Sequence, residues 1–210
     1  MSSEAYVSFA PGTVNKDRLA QAVGCSDAAE VGSALAMGYD PNTAITWPMG
    51  APWFTCLEVP LLTVAVHQGS LDIVTLLLKK KVNSNKRRGF PKPPAVYAAS
   101  RNQTDILAKL LEAGADANLM DNLGCTCLHW AAHNNSVEAL ELLLEHKVDL
   151  NLCNKLQFTA LHWAADNGSS KAAQWLVNHG GNRKAKNCLG QKPLDLAIRS
   201  GHIDLKNILE

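Results

Sequence analysis

The sequence predicts an all-α solenoid of about six helix-turn-helix repeats with hairpin fingers, capped at both ends. Three observations predict this class: a fixed 33-residue period, apolar stripes at helical spacing, and residues that tolerate left-handed backbone where each helix should end. The motif TCLHWAA at 126–132 recurs 33 positions later as TALHWAA at 159–165. Weaker copies at 60–66, 93–99 and 192–198 keep the same spacing.

Each unit is expected to form two short antiparallel helices followed by a polar hairpin. One slot near the hairpin holds Asn85, Asn118, Asn151 and Lys184, again 33 residues apart. We expect an N-terminal extension over 1–16 and a single domain over 17–210. Its repeats lie approximately at 17–42, 58–85, 91–118, 124–151, 157–184 and 190–210.

The predicted helix ends carry residues that tolerate a left-handed turn. The first helices close at Ser26, Gly69, Asn102, Asn135, Gly168 and Gly201. The second helices close at Gly38, Gly114 and Gly180, with Lys81 and Lys147 as exceptions. Between these points run stripes of apolar residues at helical spacing, such as positions 137, 140, 143 and 144.

These motifs resemble the ankyrin repeat, whose signature is Thr-Pro-Leu-His-x-Ala in a 33-residue unit. The resemblance covers about 17–210, and the two Thr-x-Leu-His-Trp-Ala-Ala copies are highly specific. The first three units lack the Thr and His of the signature. The resemblance implies that Thr and His hydrogen-bond at the start of the first helix where both are present, and that partners bind on a concave groove.

Polar residues at both ends of the array indicate capping repeats. Lys206 and Glu210 occupy slots that are apolar in other units, as do Glu30 and Ser33 in the first unit. Terminal repeats of a solenoid need such a polar outer face for solubility.

Composition and charge narrow the function. Lys+Arg 20 against Asp+Glu 19 leaves a net charge of +1, which argues against a nucleic-acid partner. No apolar run is long enough to span a membrane, and 1–5 does not read as a secretory signal. Six cysteines without a CxxC pair favour free thiols. We therefore expect a monomer in the cytoplasm or the nucleus.

Catalytic chemistry is not indicated by any motif. The sequence has no nucleophile elbow, zinc-protease motif, phosphate loop or dinucleotide fingerprint, so we expect no enzyme, cofactor or metal. The nearest candidate is Cys125, Cys127 and His129 with His133 one turn further on, and Cys125 is expected to be exposed at a hairpin tip. A thiol- or metal-dependent activity at Cys125 and His133 is the remote alternative to binding.

The expected function is a non-catalytic scaffold or adaptor that binds a partner protein or an extended peptide through the concave groove and hairpin tips. A regulatory or inhibitory subunit that masks a partner surface is the alternative. Groove slots along the first helices hold His67, Gln68, Ser100, Arg101, His133, Asn134, Asp166, Asn167, Arg199 and Ser200. Tip slots hold Phe90, Lys92, Asn122, Leu123, Cys125, Lys155, Phe158, Cys188 and Gln191, among which Phe90, Leu123 and Phe158 are expected to be exposed anchors.

Val64, Tyr97, Trp130, Trp163 and Leu196 share one first-helix slot and are interpreted as core between repeats. Trp130 and Trp163 could still present an edge to the groove.

An apolar insertion over 43–59 separates the first two units and should form an extended finger. Two interpretations remain open. The segment folds over the end of the groove as extra core, or its large side chains form an exposed contact patch. The contact candidates are Trp47, Met49, Trp53 and Phe54.

Two local features add hypotheses. Seven basic residues lie in 79–92, and this run could bind an acidic peptide, a phosphopeptide or a nuclear-import receptor. Asn118 and Asn151 each follow a leucine eight positions earlier, Leu110 and Leu143. This looks like the context in which ankyrin asparagines are hydroxylated, although the asparagine could simply order the hairpin turn.

Overall fold

A computed structural model describes residues 16–47, 57–86 and 92–210, and nearly all of its secondary structure is helical. The helices follow one another in pairs separated by one tight turn. In chain order they are α1 (Lys16–Gly24), α2 (Ala28–Ala36), α3 (Leu61–Gln68), α4 (Leu71–Lys79), α5 (Pro94–Ser100), α6 (Thr104–Glu112), α7 (Cys127–His133), α8 (Val137–Glu145), α9 (Ala160–Asp166), α10 (Ser170–Asn178), α11 (Pro193–Arg199) and α12 (Lys206–Leu209), the last preceded by a 3-10 turn at Ile203–Leu205.

The pairs stack in two layers. First helices contact first helices, from α1 against α3 through to α9 against α11, and second helices contact second helices, from α2 against α4 through to α10 against α12. A continuous apolar core fills the space between the layers, and Leu128, Leu140, Leu161 and Leu176 are almost completely buried within it. A mostly helical repeat fold, as the sequence predicts, is therefore present.

Every helix end named from the sequence adopts left-handed backbone. The φ values of Gly69, Asn102 and Gly168 are 75°, 56° and 70°. Lys81 and Lys147 also adopt it, with φ of 57° and 55°, although a side chain makes this conformation costly. The geometry of the repeat therefore requires the turn even where the sequence does not supply glycine.

The insertion begins and ends as a short antiparallel hairpin, which an all-α prediction does not contain. Strand β1 (Ala44–Trp47) pairs with β2 (Leu57–Pro60), and Ile45 faces Val59 in the register. Ile45 and Val59 are both fully buried, and the strands pack against α1 and α3. The base of the insertion is thus core. Met49, Trp53 and Phe54 lie outside the described residues, and nothing is described of the Trp47 side chain.

The two end pairs carry polar or charged residues in slots that are apolar in other units, although Ile198 and Ile203 of the last pair are also exposed. Lys206 and Glu210 are exposed and form an ion pair of 3.5 Å. At the other end, Arg18 pairs with Glu30 at 2.6 Å and Ser33 is exposed. Among the described helices, none combines the length and apolarity that a membrane span requires.

Candidate partner-binding groove

The start of α7 is fixed by a buried histidine. The Nδ1 atom of His129 accepts the backbone N–H of Thr126 at 3.2 Å and lies 3.0 Å from the Thr126 hydroxyl. Since Nδ1 accepts, the proton sits on Nε2, which donates to the Phe158 carbonyl at 3.0 Å. The imidazole therefore caps its own helix and anchors the next hairpin tip.

His162 repeats this arrangement one unit later. Its Nδ1 accepts the N–H of Thr159 at 3.1 Å, and its Nε2 donates to the Gln191 carbonyl at 3.1 Å. Burial lowers the pKa of both His129 and His162, and the hydrogen bonds to the Phe158 and Gln191 carbonyls partly oppose that shift. The hydrogen-bonding role implied for Thr and His is present in both units.

A recess opens on the first-helix face beside these anchored tips. Its volume is about 230 Å³. Four of its lining residues were expected in the groove or at the tips, namely His133, Phe158, Asp166 and Asn167. The other three, Asn154, Leu156 and Trp163, were not predicted contacts. The complete lining is His133, Asn154, Leu156, Phe158, Trp163, Asp166 and Asn167.

Trp163 forms the aromatic wall of this recess. Its ring packs edge-on against Trp130 at 5.0 Å and against His133 at 5.5 Å between centroids. It is half-buried, so the core interpretation of this slot is incomplete: one edge packs between repeats and another faces the groove. Phe158 was expected to be exposed, but it is half-buried, and its ring lies 5.5 Å from the His162 ring.

Two charged groups at the groove are already paired. Asp166 Oδ1 accepts from Arg199 Nη2 at 3.0 Å and from the Ser200 hydroxyl at 2.7 Å. Lys92 places its ammonium 3.7 Å from the centre of the Trp130 ring, and burial lowers the pKa of Lys92. The Lys92 side chain thus packs on the groove wall and does not extend freely from the hairpin tip.

Three further groove candidates use their amide donors within the chain. Gln68 Nε2 donates to the Gly24 carbonyl at 3.2 Å. Asn134 Nδ2 donates to Ala99 at 2.8 Å, and Asn167 Nδ2 donates to His133 at 2.7 Å. These side chains therefore hold successive first helices together, in addition to facing the groove.

The remaining first-helix candidates surround Tyr97. His67 lies 5.4 Å from the Tyr97 ring, and burial together with the nearby Arg101 charge lowers the pKa of His67. The Arg101 guanidinium lies 5.9 Å from the same ring, and the Ser100 hydroxyl donates to the Tyr97 carbonyl at 2.9 Å.

The prediction that Cys125 is exposed is wrong. Cys125 is fully buried because its N–H donates to the Asp121 carboxylate at 2.8 Å and its sulfur accepts from Asn154 at 3.4 Å. Burial raises the pKa of the Cys125 thiol and raises that of Cys127 to about 12. Across 16–47, 57–86 and 92–210, no three His, Cys, Asp or Glu side chains are grouped to hold a metal ion. The thiol-dependent alternative assumed an exposed Cys125, and the burial of that residue contradicts this assumption.

Other tip residues are placed as expected. Asn122, Leu123, Lys155 and Cys188 are exposed. Phe90 lies outside the described residues, as do Arg87 and Arg88 of the basic run. Lys79, Lys80 and Lys81 of that run are exposed at the end of α4.

The asparagines near the hairpins link successive units. Asn151 Oδ1 accepts the N–H of Asn182 at 2.9 Å, and Asn85 Oδ1 accepts that of Asp116 at 2.9 Å. Asn118 occupies the same slot and is exposed. These bonds favour a structural role for the slot, and hydroxylation of Asn118 or Asn151 stays a prediction that peptide mass analysis of native protein would test.

Comparison with known proteins supports the repeat assignment. A family model described as ankyrin repeats (3 copies) matches residues 62–154 and 147–209. A search of curated proteins finds no match. Ankyrin repeats are generally protein-interaction modules and are typically not enzymes. The matched residues, the paired helices and the Thr–His starts of α7 and α9 together show that this chain belongs to the ankyrin repeat family.

Proposed function

We propose that the protein is a non-catalytic scaffold or adaptor that binds a partner protein or an extended peptide on its concave groove and hairpin tips. The observation that carries this proposal is the recess beside Trp163 and Phe158, which exposes aromatic surface on a rigid wall. Half-buried aromatic side chains beside an open recess are the usual anchors of protein interfaces. Asp166 and Arg199 at its edge supply polar groups that could orient a partner.

The proposal includes a monomer of six ankyrin repeats over 17–210, capped at both ends and located in the cytoplasm or the nucleus. Two facts support it. Exposed Ser33 in the first pair and exposed Lys206 and Glu210 in the last pair stand in slots that are apolar in other units, which is typical of terminal repeats. Cys25 and Cys188 are exposed and unpaired, and exposed free thiols suit a reducing compartment.

The test is affinity capture from an extract of the source organism with a groove charge-swap variant, Arg101→Glu with Asp166→Arg. A matched control, Glu141→Arg with Lys171→Glu, makes the same exchange on the exposed surface of α8 and α10. Both variants keep the net charge, and circular dichroism would establish that both fold.

We expect the wild type and the α8/α10 variant to capture the same protein, and the groove variant to lose it. Equal capture by all three proteins would contradict binding in the groove. Loss of capture in the α8/α10 variant alone would move the site to the opposite face.

A further inference from the structure

Three exposed leucines occupy one slot of successive hairpin tips. Leu123, Leu156 and Leu189 are 33 residues apart, and 60%, 58% and 72% of their surfaces are accessible. These three large apolar side chains, on three neighbouring turns, form a row of apolar surface whose exposure to water is unfavourable. We name these three residues the leucine ridge.

The leucine ridge is held rigidly. The N–H of each leucine donates to a buried side-chain oxygen two positions earlier, on Asp121, Asn154 and Asn187 respectively, at 2.8, 2.9 and 2.9 Å. The same oxygen also accepts the N–H two positions after the leucine. Three turns of one geometry therefore present the three side chains in the same way.

Backbone hydrogen bonds also join neighbouring tips. The N–H of Lys155 donates to the Leu123 carbonyl at 3.2 Å, and that of Cys188 donates to the Leu156 carbonyl at 3.1 Å. The leucine ridge is thus a continuous preformed edge, and a partner does not have to order it on binding.

One end of the leucine ridge is strongly basic. The hairpin around Leu189 carries four exposed cations, and 179–194 contains no Asp or Glu. None of the four makes an ion pair with a residue that the structure describes. They are Arg183, Lys184, Lys186 and Lys192. In the hairpins of Leu123 and Leu156, by contrast, Asp116 and Asp149 respectively are exposed.

The spacing of the ridge selects a partner conformation. Packed helices lie roughly 8–10 Å apart, so equivalent tips of stacked repeats recur at about that interval. A polyproline II chain has three residues per turn and rises about 3.1 Å per residue, so it repeats a side chain every ~9 Å on one face. In a β-strand, two side chains three residues apart point to opposite faces, so such a strand could not present them on one side. An α-helix about 10–12 Å wide needs a trough rather than a ridge.

We propose that the leucine ridge docks an extended polyproline II segment of the partner with an aliphatic residue at every third position and acidic residues toward the Leu189 end. This inference rests on the proposed function and names the chemistry of the partner at the tips. An anionic membrane surface fits less well, because the exposed carboxylates of Asp116 and Asp149, in the hairpins of Leu123 and Leu156, would repel it.

The probe is a fluorescein-labelled peptide of about twelve residues with leucine at every third position and proline and glutamate between. A permuted peptide of the same composition is its control. Fluorescence anisotropy with the 210-residue protein should show saturable binding of the first peptide, weakened at least about tenfold for the permuted one. Raising the salt concentration should also weaken binding, because the contacts around Leu189 are ionic.

The protein variant is Leu123→Ser, Leu156→Ser and Leu189→Ser combined. The matched control replaces Met37, Ile198 and Ile203 with serine, three similarly exposed apolar residues off the ridge. Exposed side chains contribute little to stability, so both variants should fold. We expect the ridge variant to lose at least about tenfold in affinity for the peptide and the control to lose none.

Three results would overturn the proposal: no binding of the periodic peptide, equal binding of the permuted one, or leucine-dependent binding to phosphatidylserine vesicles in place of peptide. The groove charge-swap variant separates this proposal from the proposed function. If the peptide fails to bind while the groove variant still loses the captured protein, the leucine ridge proposal fails and the groove stands. If the ridge variant loses the peptide while wild type, the groove variant and the α8/α10 variant capture the same protein equally, the groove proposal fails alone.

Discussion

Acidification should destabilise the protein through His129 and His162. Both rings are completely buried, and both are fixed as the neutral form with Nδ1 as an acceptor. A proton on Nδ1 would face the backbone N–H of Thr126 or Thr159 and would lose that hydrogen bond. The pKa of each ring is therefore lower in the folded chain than in the unfolded chain.

The sign and the size of the effect follow from this shift. The unfolded chain takes up protons near pH 6.5, before the folded chain does, so the unfolding free energy falls as pH drops below about 7. A histidine that stays neutral in the folded state contributes a loss of about 1.4 kcal/mol between pH 7.5 and pH 5.5. Two such rings give an upper limit of about 2.7 kcal/mol.

The assay is urea unfolding at pH 7.5, 6.5 and 5.5, followed by tryptophan fluorescence, for wild type, His129→Gln, His162→Gln and the double variant. The variants are expected to be less stable at every pH, so the quantity compared is the slope of the unfolding free energy against pH. Each substitution should remove up to about half of the wild-type slope that the two rings cause. A wild-type stability that is flat or rises on acidification, or a slope unchanged in the double variant, would refute the buried neutral imidazoles.

Other outcomes are expected from the backbone and the thiols. Lys147→Gly and Lys81→Gly should each raise the unfolding free energy by about 0.5–1 kcal/mol, because glycine removes the steric cost of positive φ; a destabilised variant in urea titration would contradict this. In the folded protein, an alkylating reagent should label exposed Cys188 quickly and buried Cys127 only after unfolding. Peptide mass analysis would show the order, and early labelling of Cys127 would count against its burial.

The repeat architecture could be predicted from the sequence because local and global requirements coincide at the turns. Asn102, Asn135 and Gly168 recur where the backbone must become left-handed, and all three do. Thr159 and His162 could be identified by their motif, since the bond between them spans three residues of one helix start.

The side-chain environment of the tips could not be predicted in this way. The burial of Cys125 depends on Asn154, which belongs to the next unit, and on the Asp121 turn that directs the chain inward. The intra-chain use of Asn134 and Asn167 likewise depends on carbonyls of the preceding unit. Contacts between units are fixed by how closely the repeats stack, and a single unit carries no signal for them.

The row formed by Leu123, Leu156 and Leu189 does have a sequence signal. The three positions are 33 residues apart, as the motif copies are, yet only the exposure of the tips distinguishes them from core leucines. Periodicity identifies which residues share a slot, and the three-dimensional structure shows which way the slot faces.

The most direct test of the central claim is photo-crosslinking in cells of the source organism. Benzoylphenylalanine replaces Phe158 at the recess in one variant and Glu141, exposed on α8, in the other. Binding in the groove predicts a covalent adduct to one protein from position 158 and none from position 141. An adduct from position 141 alone would contradict the claim.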